Sequence, residues 1–331
     1  MTHLLRIQDP SVLKGLNATD GLPVFDPATL ARHAPDAHWV SLDDDGVIEG
    51  RLSLWWQTTP RHAGHRLGII GHYAAGGMEV GRQLLTRACH ELRAQQCGMA
   101  VGPMDGNTWR PYRFVTESHG DPPFFLEPNH PSDWPQQFIN HGFKPLANYY
   151  SSVDERIDAD GEPHAQRAAD RLARLGVTVR PLEMGRFEEE LRTIHRVVTA
   201  SFQSSFLYQP LSEAQFLAEY EPIRAFLQPE LVLIATCEDR PVGFIFTLPD
   251  LLQARSGRPI DTAIIKTLAI LPARHFAGLG SCLVAANRRA VHRLGYRRLI
   301  HALMHESNKS RSISARFASV FRRYSLFAKP L

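Results

Sequence analysis

The stretch from Thr262 to Asn308 constrains the fold more than any other part of this 331-residue chain. Thr262 to Ile270 is a run of β-branched and apolar residues, the composition of a buried strand. Pro272 follows its end, where the missing amide hydrogen removes a ladder donor. Gly278, Leu279 and Gly280 come next, and Ser281 is expected to open a helix. Its apolar residues Leu283, Val284, Ala286, Ala290, Val291 and Leu294 recur at helical spacing. Gly295 stops that helix as a C′ glycine does, and Arg298 to Met304 reads as a second apolar strand. Strand, glycine-bearing turn, helix and strand together make an anion trap. The first-turn amides have no intrahelical acceptor, and the helix dipole is positive there. Glycines at such a turn also serve plain close packing, so the surrounding order has to separate the two readings.

That order resembles the acyl-CoA loop of the GCN5-related N-acetyltransferases, where a hydrophobic strand and a proline precede Arg/Gln-x-x-Gly-x-Gly/Ala and a helix. Gly278 and Gly280 stand at the sixth and eighth positions after Pro272, as in that family. His275 replaces the usual Arg or Gln, Phe276 a common glycine, and Arg274 lies one residue early. The side-chain part of a diphosphate contact therefore departs from the pattern, while the backbone part is kept. The resemblance implies direct attack of an amine on an acyl-CoA, expected to be acetyl-CoA. It places strand contacts at Leu268, Ala269 and Ile270, the cradle at Arg274, His275, Ala277, Gly278, Leu279, Gly280 and Ser281, and Asn308 by the pantetheine arm. His305 and Glu306, at the end of the following strand, are the candidate bases, since histidine titrates near neutrality and burial raises a carboxylate. The family's acid is often a tyrosine shortly after the asparagine. Here Ser312, Ser314 and Phe317 occupy that region, leaving Tyr324 in the last strand. A surface role for His305 and a packed one for Tyr324 are the competing readings. Lys266, inside an apolar strand, either faces the cleft and attracts an acidic group of a substrate or snorkels at an edge.

The element order occurs twice. His38–Leu42 and Val47–Gln57 read as a hairpin across Asp43-Asp44-Asp45-Gly46, a turn by composition rather than a calcium loop, and one of Trp55 and Trp56 is expected in the core. Arg66–Ala75 is a strand, Glu79–Gln96 a helix and Gly98–Met104 a strand. Only Gly76, Gly77 and Met78 join strand to helix, too short to wrap a diphosphate. The expected fold is α/β, layered, with two acetyltransferase-like domains, each a mixed twisted sheet flanked by helices. Residues 1–153 form a degenerate domain, 154–177 a linker marked by Asp160, Gly161 and Pro163 with a connecting helix, and 178–331 the acyl-CoA-binding domain.

Gly102 to Phe114 leaves its strand sharply and carries Thr108, Trp109, Arg110, Tyr112 and Arg113 on a loop. Loops at strand carboxyl ends bind ligands in such sheets. A bacterial group of tandem acetyltransferase-like proteins carries a similar Gly-Pro segment, followed by a Pro-Pro pair (Pro122, Pro123) and an Asn-x-Pro (Asn129, Pro131). Trp109, Arg110, Tyr112 and Arg113 are accordingly candidate acceptor contacts, with Lys266. A packed interface loop is the alternative.

Composition bounds the rest. There is no apolar run of eighteen residues and no secretory leader at the N-terminus, so a cytoplasmic protein is expected. Cys89, Cys97, Cys237 and Cys282 lack metal spacing, and no metal is expected. From Arg274 onward twelve Lys and Arg face one acid, Glu306, which suits an anionic ligand such as coenzyme A. Nothing specific points to nucleic acid, and no membrane partner is expected. The expected activity is N-acyl transfer to an amine of a small molecule or peptide. A non-catalytic acyl-CoA-binding module of the same fold, or a Fem-like aminoacyl transferase, are the alternatives. The oligomeric state is not legible.

Overall fold

The computed structural model describes residues 3–157, 163–308 and 311–331. The linker residues Asp160 and Gly161 lie outside them. The first half runs β1 (His3–Ile7), α1 (Ala28–His33), β2 (Ala37–Leu42), β3 (Ile48–Trp55), β4 (Arg61–His62), β5 (His65–Ala75), α2 (Met78–Ala94), β6 (Met99–Gly102), β7 (Phe114–Ser118), α3 (Trp134–Asn140) and β8 (Lys144–Asp154). The second continues with α4 (Pro163–Arg174), β9 (Val177–Pro181), α5 (Phe187–Phe202), α6 (Glu213–Tyr220), β10 (Val232–Cys237), β11 (Arg240–Pro249), α7 (Leu251–Arg255), β12 (Thr262–Ile270), α8 (Leu279–Arg293), β13 (Arg298–His305), α9 (Arg311–Ser314) and β14 (Ser319–Pro330).

Among the described residues, fourteen strands form one sheet, in the order β1-β2-β3-β5-β6-β14-β8-β13-β12-β11-β10-β9, with β4 on β5 and β7 on β14. Read inward from either edge, the sheet gives the same sequence of elements. The pairs β5–β6 and β12–β13 are parallel, as the α2 and α8 crossovers require, and the other pairs along this order are antiparallel. The last strand of each half crosses to the other. β8 lies beside β13, β14 lies beside β6, and the two pair with each other at the centre.

Amphipathic helices cover both faces. α2 buries Leu84, Leu85, Ala88 and Leu92 completely, each leucine contributing roughly 1.5–3 kcal/mol. Trp55 and Trp56 are both buried, in different clusters, because both sides of β3 are covered; one alone had been expected inside. A boundary also differs from the sequence reading. α8 begins at Leu279, with Gly278 as its N-cap, since a left-handed φ of 85° at Gly278 lets the turn close before Ser281. The N-terminal strand β1 carries no clear periodicity because it is a largely exposed edge. The four cysteines are free.

Candidate functional site

β12 and β13 pair only from Thr262 and Arg298 to Ile265 and His301; beyond those residues they part. Lys266 stands at the fork. Ile265 faces Thr247 and Thr267 faces Phe246 on β11, so Lys266 is the extra residue of a bulge. β13 bulges at the same level, between His301 and Met304, where Leu303 has φ of 58°. Ser151 of β8 accepts the Leu303 amide at 3.0 Å, and Arg113 donates from Nη1 to the Leu303 carbonyl at 3.1 Å.

The fork leads to the N-terminus of α8. Among the described residues, the amides of Gly278, Leu279, Gly280 and Ser281 donate to no backbone carbonyl. Gly280 is buried, and a Cβ there would lie 3.0 Å from Ile270 Cδ1 and 3.1 Å from Ile313 Cδ1. Arg274 and His275 are exposed on the turn that precedes α8. The guanidinium beside this loop comes from elsewhere. Arg171 of α4 donates to the carbonyls of His275 and Ala277.

On the face opposite α8, Phe124 and Phe321 pack on Ile264 and Ile300. The segment that carries Phe124 is fastened to the second half. Phe125 N donates to Asp250 Oδ1 at 2.9 Å, and Lys266 Nζ to Leu126 O at 3.2 Å. Glu127, with a wholly buried side chain, accepts from Tyr324 Oη at 2.5 Å, Arg322 Nη1 at 2.9 Å and Phe124 N at 3.2 Å. Tyr324 also meets Ser151 Oγ at 3.0 Å. Burial raises the Glu127 carboxyl against the pull of Tyr324 and Arg322, and burial next to Glu127 pushes the Tyr324 phenol up. Lys266 is lowered to about 8 by burial and, secondarily, by Arg113, with Glu127 opposing.

No family model matches the chain. Protein YghO of Escherichia coli (strain K12) is 24% identical over 220 residues, 63% of this chain and 54% of that protein. The bacterial ceramide synthase of Caulobacter vibrioides (strain NA1000 / CB15N) is 24% identical over 214 residues, 64% of this chain and 54% of that protein. The chain spans about half the length of the curated relatives it matches. A solved tandem GNAT protein from the clavulanic acid biosynthesis pathway superposes with a TM-score of 0.54 at 12% identity, covering 100% of this chain and 98% of that one. The chain carries the GCN5-related N-acetyltransferase fold, in tandem.

Within that fold the two halves differ at the fork. In the first half the extra residue falls at His72 or Tyr73 of β5, between pairs Arg51–Ala74 and Ser53–Gly71. There the gap is filled by the protein itself. Met104 N donates to Ile70 O at 2.8 Å, His72 N donates to Asp105 Oδ1 at 2.6 Å, and a Cβ on Gly71 would fall on the Met104 carbonyl. His72 sits in a buried chain with Ser53, His33 and His38, and burial holds all three imidazoles well below their usual range. Among the described residues, no cluster of His, Cys, Asp or Glu is arranged to hold a metal.

The other sequence candidates fall around the second fork. Leu268 and Ile270 face α8, and Ala269 faces the α5 side. His305 packs against Tyr149 and Phe206 with Nδ1 at 2.7 Å from Ser307 Oγ, and burial lowers it. Glu306 is exposed beside Asn148, and Asn308 N donates to His305 O at 2.8 Å. Trp109 Nε1 donates to Gln209 O at 2.8 Å, and its ring meets Phe216 edge-on. Arg110 reaches the carbonyls of His33 and Asp105 and pairs with Glu219 at 3.6 Å. The Arg113 guanidinium packs on the rings of both Tyr112 and Tyr149, which meet each other edge-on. The structure thus brings Lys266, Tyr324 and Arg113 together, and leaves Trp109 and Arg110 at the junction with α6. Glu127, Ser151 and Arg171 were not singled out from sequence. Glu127 follows a proline-rich run and Arg171 lies in a connecting helix, and neither sits in a spacing that marks chemistry.

Proposed function

We propose that the chain is an acyl-CoA-dependent N-acyltransferase whose second half holds the donor between β12 and β13. The observation that carries this reading is the open fork beyond Ile265 and His301, continuous with the uncapped amides of Gly278 to Ser281. The residues present fit such a donor. Gly280 lets the first turn of α8 pack close against Ile270 at the fork, the helix dipole favours a diphosphate, and Arg171 adds a cation. The bound donor would supply a thioester-activated acyl group. Backbone amides of Leu268 to Ile270 would orient it, with His305 and Glu306 as candidate proton carriers and the acceptor approaching from the Phe124 face. Tyr324, wholly buried against Glu127 and Ser151, is enclosed too fully to carry a proton to substrate. The plugged fork of the first half supports a supporting role for residues 1–153, with 178–331 as the donor-binding unit joined through 154–177.

The relative named as a ceramide synthase widens the acceptor range, since a ceramide is an amide of a long-chain amino alcohol. Calorimetry with acetyl-CoA and palmitoyl-CoA, followed by thiol-release assays on amines that include a long-chain amino alcohol, tests the reading. One-to-one binding that is lost in Gly280→Asp is expected. Binding unaffected by that change, or no binding of either thioester, rejects it.

A further inference from the structure

We propose that Lys266 is the proton acceptor for the incoming amine, held in place by the Phe124–Glu127 segment of the first half. This rests on the acyl-transfer reading above. Lys266 is the bulged residue at the point where β12 leaves β13, so its side chain starts at the mouth of the fork. Nζ reaches Leu126 O, on the segment whose Phe124 covers the sheet face opposite α8. It therefore stands on the side away from the helix N-terminus, where an acceptor meets the donor's acyl end.

The segment is fixed independently of Lys266. Glu127 is anchored by Tyr324 and Arg322, and Phe125 N by Asp250. A neutral amine at Nζ satisfies Leu126 O with one N–H and keeps its lone pair for the cleft. The charged groups facing Lys266 are Arg113 from the first-half loop and Glu127, with Arg322 and Tyr324 behind Glu127 on β14. Tyr220 of α6 lies by the next residue, Thr267. Burial and Arg113 outweigh Glu127, and the lowered Lys266 leaves a large neutral fraction near pH 8.

The step balances without another reactant. The acceptor arrives as an ammonium and gives one proton to neutral Lys266. Its freed lone pair forms the C–N bond as the thioester C–S bond breaks, and the nitrogen's remaining surplus proton goes to the departing sulfur. Lys266 then returns its proton to water. Glu127 and Tyr324, wholly enclosed, do not touch substrate; they are positioning residues.

The test has two arms. Trace labelling with acetic anhydride across pH 6 to 11, read by mass spectrometry, follows each of Lys14, Lys144, Lys266, Lys309 and Lys329 in the folded protein. A labelling midpoint for Lys266 about two pH units below that of a free lysine is expected, moving lower in Glu127→Gln as the opposing charge goes. In the second arm, with whichever thioester and amine turn over, Lys266→Met lowers kcat by about 10²–10⁴-fold and moves the acid limb of the kcat/KM profile up to the acceptor amine's own ionisation, with donor affinity within about twofold. Lys266→Arg keeps the charge without the base and is expected to fail as badly. An ordinary labelling midpoint, or near-native turnover in Lys266→Arg, overturns the proposal and leaves acyl transfer standing. Absence of thioester binding in the native protein removes both.

Discussion

Arg113 and Leu303 belong to opposite halves of the chain, and the guanidinium of the first donates to the carbonyl of the second at 3.1 Å. Leu303 is the left-handed residue of the β13 bulge. Its amide is taken by Ser151 of β8, a strand that the first half lends to the second. Both backbone polar groups of Leu303 are thus satisfied from the first half, so the shape of the fork depends on residues outside the β12–α8–β13 unit.

Arg113→Ala is therefore expected to act on the fold before it acts on any substrate. It strands the Leu303 carbonyl and removes the cation packed on the rings of Tyr112 and Tyr149, a loss of about 2–4 kcal/mol in chemical unfolding. Arg113→Lys keeps the charge but not the planar stacking and recovers only part of it. Native unfolding energy in Arg113→Ala, together with a raised acceptor KM, would instead make Arg113 a substrate contact.

The glycines separate the two forks. At Gly278 a Cβ would sit 2.9 Å from Ala168 Cβ at a positive φ, so Gly278→Ala costs about 1–2 kcal/mol of stability. Gly280→Asp places a carboxylate at the first turn of α8 and crowds Ile270 and Ile313, so thioester affinity is expected to vanish with some loss of stability, and Gly280→Ala, which crowds the same two side chains without the charge, separates the two effects. Gly71→Ala gives the opposite result. Its Cβ collides with the backbone of Met104, so the protein fails to fold, whereas Gly77→Ala, with open space around it, leaves both stability and thioester affinity near native.

Acid stability follows from the buried imidazoles. Burial lowers His301 and His33 to about 4, and lowers His38 and His72 further. A histidine depressed in the folded state binds fewer protons there than in the unfolded chain, so its contribution is intact above pH 6.5 and is lost as pH falls toward its folded value. Each such histidine steepens the loss by up to about 1.4 kcal/mol per pH unit. Urea unfolding from pH 7.5 to 4.5 is expected to show this decline, and His301→Gln to lower its slope by about one proton. A flat profile between pH 6.5 and 5 would mean that these rings are open to water.

Much of the second half was legible because periodicity and turn chemistry act locally. The run Thr262–Ile270, the glycines at 278 and 280 and the amphipathic stretch from Ser281 each specify their own element, the helix starting two residues earlier than read. The bulge at Lys266 was not, since a two-against-one register depends on β11, and an apolar run gives no sign of which residue is extra. Strand exchange was hidden for the same reason. Phe321–Ala328 reads as a closing strand, shorter by two residues at each end than the observed β14, but its neighbours β6 and β8 are set by packing across some two hundred residues. Glu127 is the sharpest case. Its fully buried carboxylate needs Arg322 and Tyr324 as partners, and both are remote in sequence.

The connecting helix α4 gives the last test. The family pattern would put its basic or amide side chain at position 275, where this chain has His275, and Arg274 next to it is exposed. Arg171 reaches the same loop from outside, bonded to the carbonyls of His275 and Ala277. Those bonds hold its charge near the first turn of α8 without using any of the amides a diphosphate needs. Arg171→Ala is therefore expected to weaken thioester binding by about 1–2 kcal/mol, roughly tenfold, with most of the difference lost above 0.5 M salt. Arg171→Gln, which can keep one carbonyl bond, separates loop support from charge. If it binds the thioester as tightly as the native protein, Arg171 serves the loop alone. Arg274→Ala gives the internal comparison, with a similar loss expected if its free guanidinium turns to the same anion and none if it points away.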